Sequence, residues 1–332
     1  MTMGGSDGQL QAVLGLTDQQ IAKVLEDSGE PAEALAAYRQ SIAILQELAG
    51  AAPGAAQFLG DLAESYDSIG RLLSTVGKPA EALAMHQRAL PIQQELARAN
   101  PDVARFQSNL AYTYYRIGFM LQLTGKPADA LAMFQRELTI RQKLADANPN
   151  VTGLQFDLAR SLDLIGWVLR RTDRPIEAQA SIERANAILR ELVKINPGDL
   201  FFQRELANNL GAMNELQWRA GRIADAAASS RQAVAILERL PTRTPAAHYN
   251  LACLHAKLAG LSALPGSGMT DADGRAEAGL AMQWLHGAVA AGYRNAALMR
   301  RDRDLDPLRS RPDFQLLMMD LEFPDDPFAR GD

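Results

Sequence analysis

From Phe106 onward, apolar residues recur at steps of three and four: Phe106, Leu110, Tyr114, Ile117 and Leu121. That spacing lines one face of a helix and lacks the two-residue alternation of a strand. Gly125 ends the stripe, because glycine accepts the left-handed conformation that closes a helix. Pro127 stands where a second helix starts, its missing N–H costing nothing in a first turn. A second stripe follows through Ala130, Leu131, Phe134, Leu138, Ile140 and Leu144. Asn148-Pro149 stops it, since the residue before a proline is pushed out of the helical region. Residues 102–148 therefore predict a helical hairpin with a short turn.

The hairpin recurs. GKPADALAMFQREL from Gly125 is matched 48 residues earlier by GKPAEALAMHQRAL from Gly77, and again by GEPAEALAAYRQSI from Gly29. The same step leads forward to Asp173 and Gly221. It links Ala34, Ala82, Ala130, Ala178 and Ala226, and likewise Leu48, Leu96, Leu144, Leu192 and Leu240. Glu33, Glu81, Asp129, Glu177 and Asp225 put negative charge near the positive end of each second helix. A period of this size means an array in which each unit buries its apolar face against its neighbours. A position held as alanine five times predicts a close approach of two helices, with Gly70, Gly118 and Gly166 playing the same part on the first helix. Ala22 and Asn214 occupy that position in repeats one and five. Pro91 lies inside the second helix of repeat two and should bend it by deleting a backbone bond.

Composition narrows the class. A net charge of −5 over 332 residues gives no basic footprint for nucleic acid. The single cysteine, Cys253, excludes an internal disulfide and fits a reducing compartment. MTMGGSDGQLQAV lacks the basic-then-apolar order of a secretory signal. No apolar run reaches the roughly 20 residues of a spanning helix. These features point to a soluble, cytoplasmic protein with no membrane association.

Tyr114, Ile117, Gly118, Leu121, Gly125, Ala130 and Phe134, at their spacing, resemble the tetratricopeptide repeat. The resemblance is close over residues 9 to about 240 and looser over 246–292. It implies an all-α, right-handed superhelical solenoid of antiparallel helix pairs. The usual repeat has about 34 residues, so this one adds about seven to each helix. Seven residues return the stripe to within about 20° of its starting direction, so both helices lengthen, to about 30 Å, without losing their packing. Lengthened repeats of this kind are similar to those of kinesin light chains. The wording is also similar to arrays attached to bacterial serine/threonine kinases. The expected organisation is a disordered N-terminus over 1–8 and five hairpins over 9–245. An irregular sixth repeat covers 246–293 with a loop insertion at 261–275, followed by a C-terminal helical cap at 294–323 and a tail at 324–332.

The residues offer no catalytic machinery. His86 stands where Tyr38 and Phe134 stand in neighbouring repeats, a packing position. His248 and His255 could share a helix face, but no third zinc ligand lies near them in sequence. DADG at 271–274 hints at a calcium loop, yet Arg275 falls where a third ligand belongs. Asp302, Asp304 and Asp306 among arginines read as a solvated cap. No metal or cofactor is expected, and no Gly-rich loop or HRD motif makes the chain a kinase.

What remains is surface. The family resemblance implies that the first helix of each hairpin lines a concave groove. It assigns to that groove Glu64, Asp67, Arg71 and Ser74 in repeat two, and Tyr112, Tyr115, Phe119 and Gln122 in repeat three. Repeat four supplies Arg160, Asp163, Trp167 and Arg170, and repeat five Asn208, Gly211, Glu215 and Trp218. Aromatic residues and arginine dominate binding hot spots. The alternative is that Tyr112, Phe119 and Trp218 pack between adjacent first helices. The expected function is a non-catalytic adaptor or scaffold that takes a protein or peptide partner in the groove. The alternatives are a regulatory portion of a kinase system, or a self-assembling structural protein in which a helix edge or cap docks on another copy.

Overall fold

A computed structural model describes residues 5–51, 56–241 and 244–322. Residues 1–4 of the expected disordered terminus, and the tail at 324–332, lie outside them. Among the described residues every regular element is a helix, and consecutive helices pack as pairs. The chain divides into two compact units, Met1–Thr172 and Asp173–Asp332. The first contains α1 (Gly5–Asp27), α2 (Pro31–Ala51), α3 (Ala56–Thr75), α4 (Pro79–Ala99), α5 (Ala104–Leu123), α6 (Pro127–Ala147) and α7 (Thr152–Arg171). The α1 helix starts at Gly5.

The turns follow one design. Gly77 and Gly125 both take φ of 78°. The N–H of Lys78 reaches Leu73 O at 2.8 Å, and that of Lys126 reaches Leu121 O at 2.8 Å. This is the Schellman closure, which satisfies carbonyls that a helix end leaves open. Proline then opens the next helix at once. At the other end of each pair, the side chains of Asn100 and Asn148 donate to Leu96 O and Leu144 O at 3.0 and 2.9 Å. The α4 helix continues unbroken across Pro91, which faces solvent.

Inside the first unit, Ala34, Ala82 and Ala130 are fully buried. The glycine column has a different role from the close helix approach expected. A Cβ on Gly70 would fall 2.6 Å from the His86 imidazole, and one on Gly118 would fall 2.5 Å from the Phe134 ring. Each glycine makes room for a ring from the second helix of its own pair.

The second unit contains α8 (Pro175–Ile195), α9 (Leu200–Arg219), α10 (Ile223–Arg239), α11 (Pro245–Ser262), α12 (Asp271–Ala290), α13 (Ala296–Arg301), a 3₁₀ turn at Arg303–Leu308, and α14 (Pro312–Glu322). The α11–α12 connection is shorter than the insertion expected at 261–275. DADG is the first turn of α12, where Thr270 and Asp273 form a capping box: Asp273 N–H donates to Thr270 Oγ1 at 3.2 Å, and Thr270 N–H to Asp273 Oδ2 at 2.7 Å. Beyond α12, Met299, Leu305, Leu308, Phe314 and Leu317 close over the apolar sides of α11 and α12. Gly260 lets Pro307 approach: a Cβ there would be 2.8 Å from the proline ring.

Asp173 is the one non-glycine residue with positive φ among the described residues, at 57°. It occupies the turn position that glycine holds at 29, 77, 125 and 221. Left-handed backbone costs an ordinary residue about 1–2 kcal/mol, and glycine's extra unfolded-state freedom offsets part of that. Asp173→Gly should therefore raise stability by about 0.5–1 kcal/mol, read as a higher guanidinium midpoint by circular dichroism. A lower midpoint would show that the aspartate side chain itself supports the turn.

Candidate interaction surface

The first helices of the first unit are joined by polar contacts. Arg71 on α3 makes a two-pronged ion pair with Glu26 on α1, its Nη2 lying 2.8 Å from Glu26 Oε2. Lys23 lies 3.9 Å from Glu64. Thr113 on α5 donates to Asp67 Oδ2 at 2.8 Å, while Asp67 Oδ1 lies 2.7 Å from His86 Nδ1. Asp67 is thus a largely buried link between α3, α4 and α5 that also lines the pocket beside Glu64 and Arg71. His86 is wholly buried, in the packing position expected of it.

Glu64, Arg71 and Tyr112 do come together. With Lys23, Arg105 and Asn109 they line a pocket of about 400 Å³. Gln93, almost fully buried, forms part of its wall and brings a side-chain oxygen that has no hydrogen-bond partner. Next to the pocket runs an aromatic row on α5. The Tyr112, Tyr115 and Phe119 rings follow one another at centroid spacings of 6.3 Å, and all three are half-buried. Arg116 lies 4.8 Å from the Tyr112 ring centroid and Arg160 of α7 lies 5.3 Å from that of Tyr115. Phe119 also packs against the Ile69, Leu73 and Met120 cluster, so part of its surface serves the core. Trp167 is exposed, with Arg171 at 4.8 Å over its ring. Ser74, Gln122, Asp163 and Arg170 are half-buried.

Asn208, Gly211, Glu215 and Trp218 belong to the second unit. There Asn208 and Trp218 are exposed, Gly211 is half-buried, and Glu215 pairs with Arg219 at 2.7 Å.

A buried polar column escaped the sequence reading. Ser65, Thr113 and Ser161 are spaced 48 residues apart and are all buried. Ser65 lies 3.4 Å from Ser41 Oγ, and Ser161 donates to Glu137 Oε1 at 2.9 Å. Asn209 continues the spacing in the second unit, accepting from Asn186 at 2.7 Å. The recurrence was visible in the sequence, but small hydroxyls do not announce which side they face.

The same kind of burial appears in the cap. Tyr249 donates to Asp302 Oδ2 at 2.7 Å and Lys257 Nζ sits 2.8 Å from Asp304 Oδ2. Burial raises the Asp304 pKa despite that lysine. These aspartates are a latch between α11 and the turn, where solvated charge was expected. The Cys253 sulfur and one oxygen from each of these carboxylates lie within 4.8 Å of one another. Burial first, and then the two carboxylates, push the thiol well above its usual range, so it is held as an uncharged thiol. His255 lies buried, 2.6 Å from Glu277, while His248 stacks near Trp284 with ring centroids 5.4 Å apart.

The architecture is that of a helical-hairpin repeat protein whose described helices include none long and apolar enough to cross a membrane. Residues 62–102 match the family model described as tetratricopeptide repeat. That stretch is similar to a tetratricopeptide repeat. No curated protein matches it in sequence. Three solved structures are similar in fold. RapI in its apo form has a TM-score of 0.61 at 14% identity, over 95% of this chain and 75% of its own. The S. pombe nuclear import adaptor Nro1 has a TM-score of 0.57 at 14% identity, over 85% of this chain and 95% of its own. BtubC (BKLC) from P. vanneervenii has a TM-score of 0.56 at 18% identity, over 78% of this chain and 91% of its own.

Arg160 is tied to the electrostatics beneath the surface. It lies 3.5 Å from Asp157, which in turn holds Arg141 at 2.7 Å. Arg141 is nearly buried and Glu137 sits 3.9 Å from its Nε. Glu137 is itself almost wholly buried, which penalises its charged form. Burial pushes Glu137 up to about 7, with Ser161 and Arg141 pulling the other way. The folded state therefore keeps a proton that the unfolded chain releases near 4.5. This contribution is fully present below about 4.5 and is lost as pH rises through 7, on the order of 3 kcal/mol in all. Glu137→Gln should flatten the fall in unfolding midpoint between pH 5 and pH 8 relative to the parent protein; an unchanged slope would place the proton elsewhere.

Proposed function

We propose that the protein is a non-catalytic interaction module and that the first-helix surface of its first unit takes an extended segment of a partner protein. The observation that carries this reading is the row Tyr112, Tyr115 and Phe119 with Arg160 over the middle ring. A half-buried aromatic row with guanidinium groups alongside is rigid, amphipathic contact area, which is what protein hot spots use. The adjoining pocket suits an extended main chain. Gln93 offers an oxygen for an N–H, and Asn109 and Arg105 offer donors for a carbonyl or a carboxylate. Arg71 is committed to Glu26 and Asp67 to His86 and Thr113, so these hold the wall in place. The similar fold of the adaptor Nro1 agrees with a scaffold role.

The test compares the parent protein with a Tyr115→Ala, Arg160→Glu, Trp167→Ala variant, each immobilised and exposed to native lysate after circular dichroism confirms equal helicity. A protein captured by the parent and lost at least tenfold by the variant is the expected result. Equal capture by both would move the site off this surface.

A further inference from the structure

One face of α1 has the pattern of an inner helix and no helix over it among the described residues. Leu10, Val13 and Val24 are 62%, 60% and 63% exposed, and Leu14 and Ile21 are close to half exposed. A step of 48 residues carries Leu14, Ile21 and Val24 to Leu62, Ile69 and Leu72 of α3, which are 6%, 3% and 3% exposed. There α2 supplies the cover: Leu45 packs in one cluster with Leu62, and Tyr38 in another with Ile69. Thr17 likewise corresponds to Ser65, which meets Ser41 of α2. A contiguous exposed apolar stripe of this kind marks an interaction surface.

We propose that a second copy of this chain covers this face, α1 against α1 in antiparallel orientation. Leu10, Leu14, Thr17, Ile21 and Val24 follow at steps of four, three, four and three, the spacing of a coiled-coil seam. The seam contains no charge between its first and last residues; Asp18 and Lys23 stand beside it. A helix with such a seam is complementary to itself, so a two-fold axis closes the contact without any second surface on the molecule. An antiparallel pairing centred between Gly15 and Leu16 sets Leu10 opposite Ile21 of the second copy. It sets Leu14 opposite Thr17 of the second copy, and brings the Gln11 amide beside Asp18 of the second copy. No like charges meet in that register.

Light scattering on a sizing column, from low to high micromolar protein, reads the outcome. The parent protein should approach twice its chain mass of 36.1 kDa as concentration rises. Leu14→Glu combined with Ile21→Glu should weaken association by about a hundredfold or more and run at 36.1 kDa, with helicity unchanged because both side chains are about half exposed in the single chain. Thr17→Lys, a single change at the middle of the seam, repeats the test if the double variant loses helicity. A parent protein that stays at single-chain mass throughout overturns the proposal. So does a dimer that persists in folded Leu14→Glu, Ile21→Glu protein, which would place the contact on another surface.

Discussion

A two-helix repeat cannot cover its own apolar stripes, and this constraint organises the rest of the chain. Left-handed turn residues close the regular hairpins, and in two of them a ring is seated over glycine, His86 over Gly70 and Phe134 over Gly118. Closing the pair leaves one stripe bare. Leu62 and Ile69 on α3 share their clusters with Leu45 and Tyr38 of α2 as well as with alanines of α4. The irregular pieces of the chain answer the same need. In the second unit, Met299, Leu305 and Leu308 are folded over α11 and α12 by a short 3₁₀ turn and α14, and the Tyr249–Asp302 and Lys257–Asp304 contacts fasten that cover.

Apolar stripes alone would let neighbouring repeats slide, because one leucine contact is much like the next. The buried polar column supplies what hydrophobic contact lacks. Ser65, Thr113 and Ser161 each bond the carbonyl four residues back in their own helix, and in this register they also meet Ser41, Asp67 and Glu137. A polar group buried without a partner costs about 1–3 kcal/mol, so a slipped register that took Thr113 from Asp67 or Ser161 from Glu137 is penalised. The same contacts prepare the surface. Glu26 and Asp67 hold Arg71 and His86 from below, and Asp157 stands between Arg141 and Arg160. The aromatic row and the pocket therefore sit on a wall that is already fixed, which lowers the ordering cost of binding.

The period of 48 residues, the helix pairs, their turns and the N-terminal prolines were all legible in the sequence, because they depend on local chemistry: glycine at positive φ, proline in a first turn, asparagine before proline. That Glu64, Arg71, Tyr112 and Tyr115 lie on the first helices of their pairs was legible too, since it follows from the period. Position within a repeat does not state which way a polar side chain turns. Asp67 has the same offset as Tyr115 and Asp163, yet its carboxylate is tied to Thr113 and to His86, which stands in place of a Phe. Asp302 and Asp304 looked like solvated charge among arginines, and only the fold of the cap brings Tyr249 and Lys257 to them across more than 40 residues. The capping box at Thr270 and Asp273 could have been read locally and was obscured by its likeness to a metal loop. By itself the sequence determined where the chain is helical and where it turns, since those choices are made within a few residues. The tertiary structure alone decided which polar groups are buried and which apolar ones are bare, because both depend on what a neighbouring helix brings to the same place.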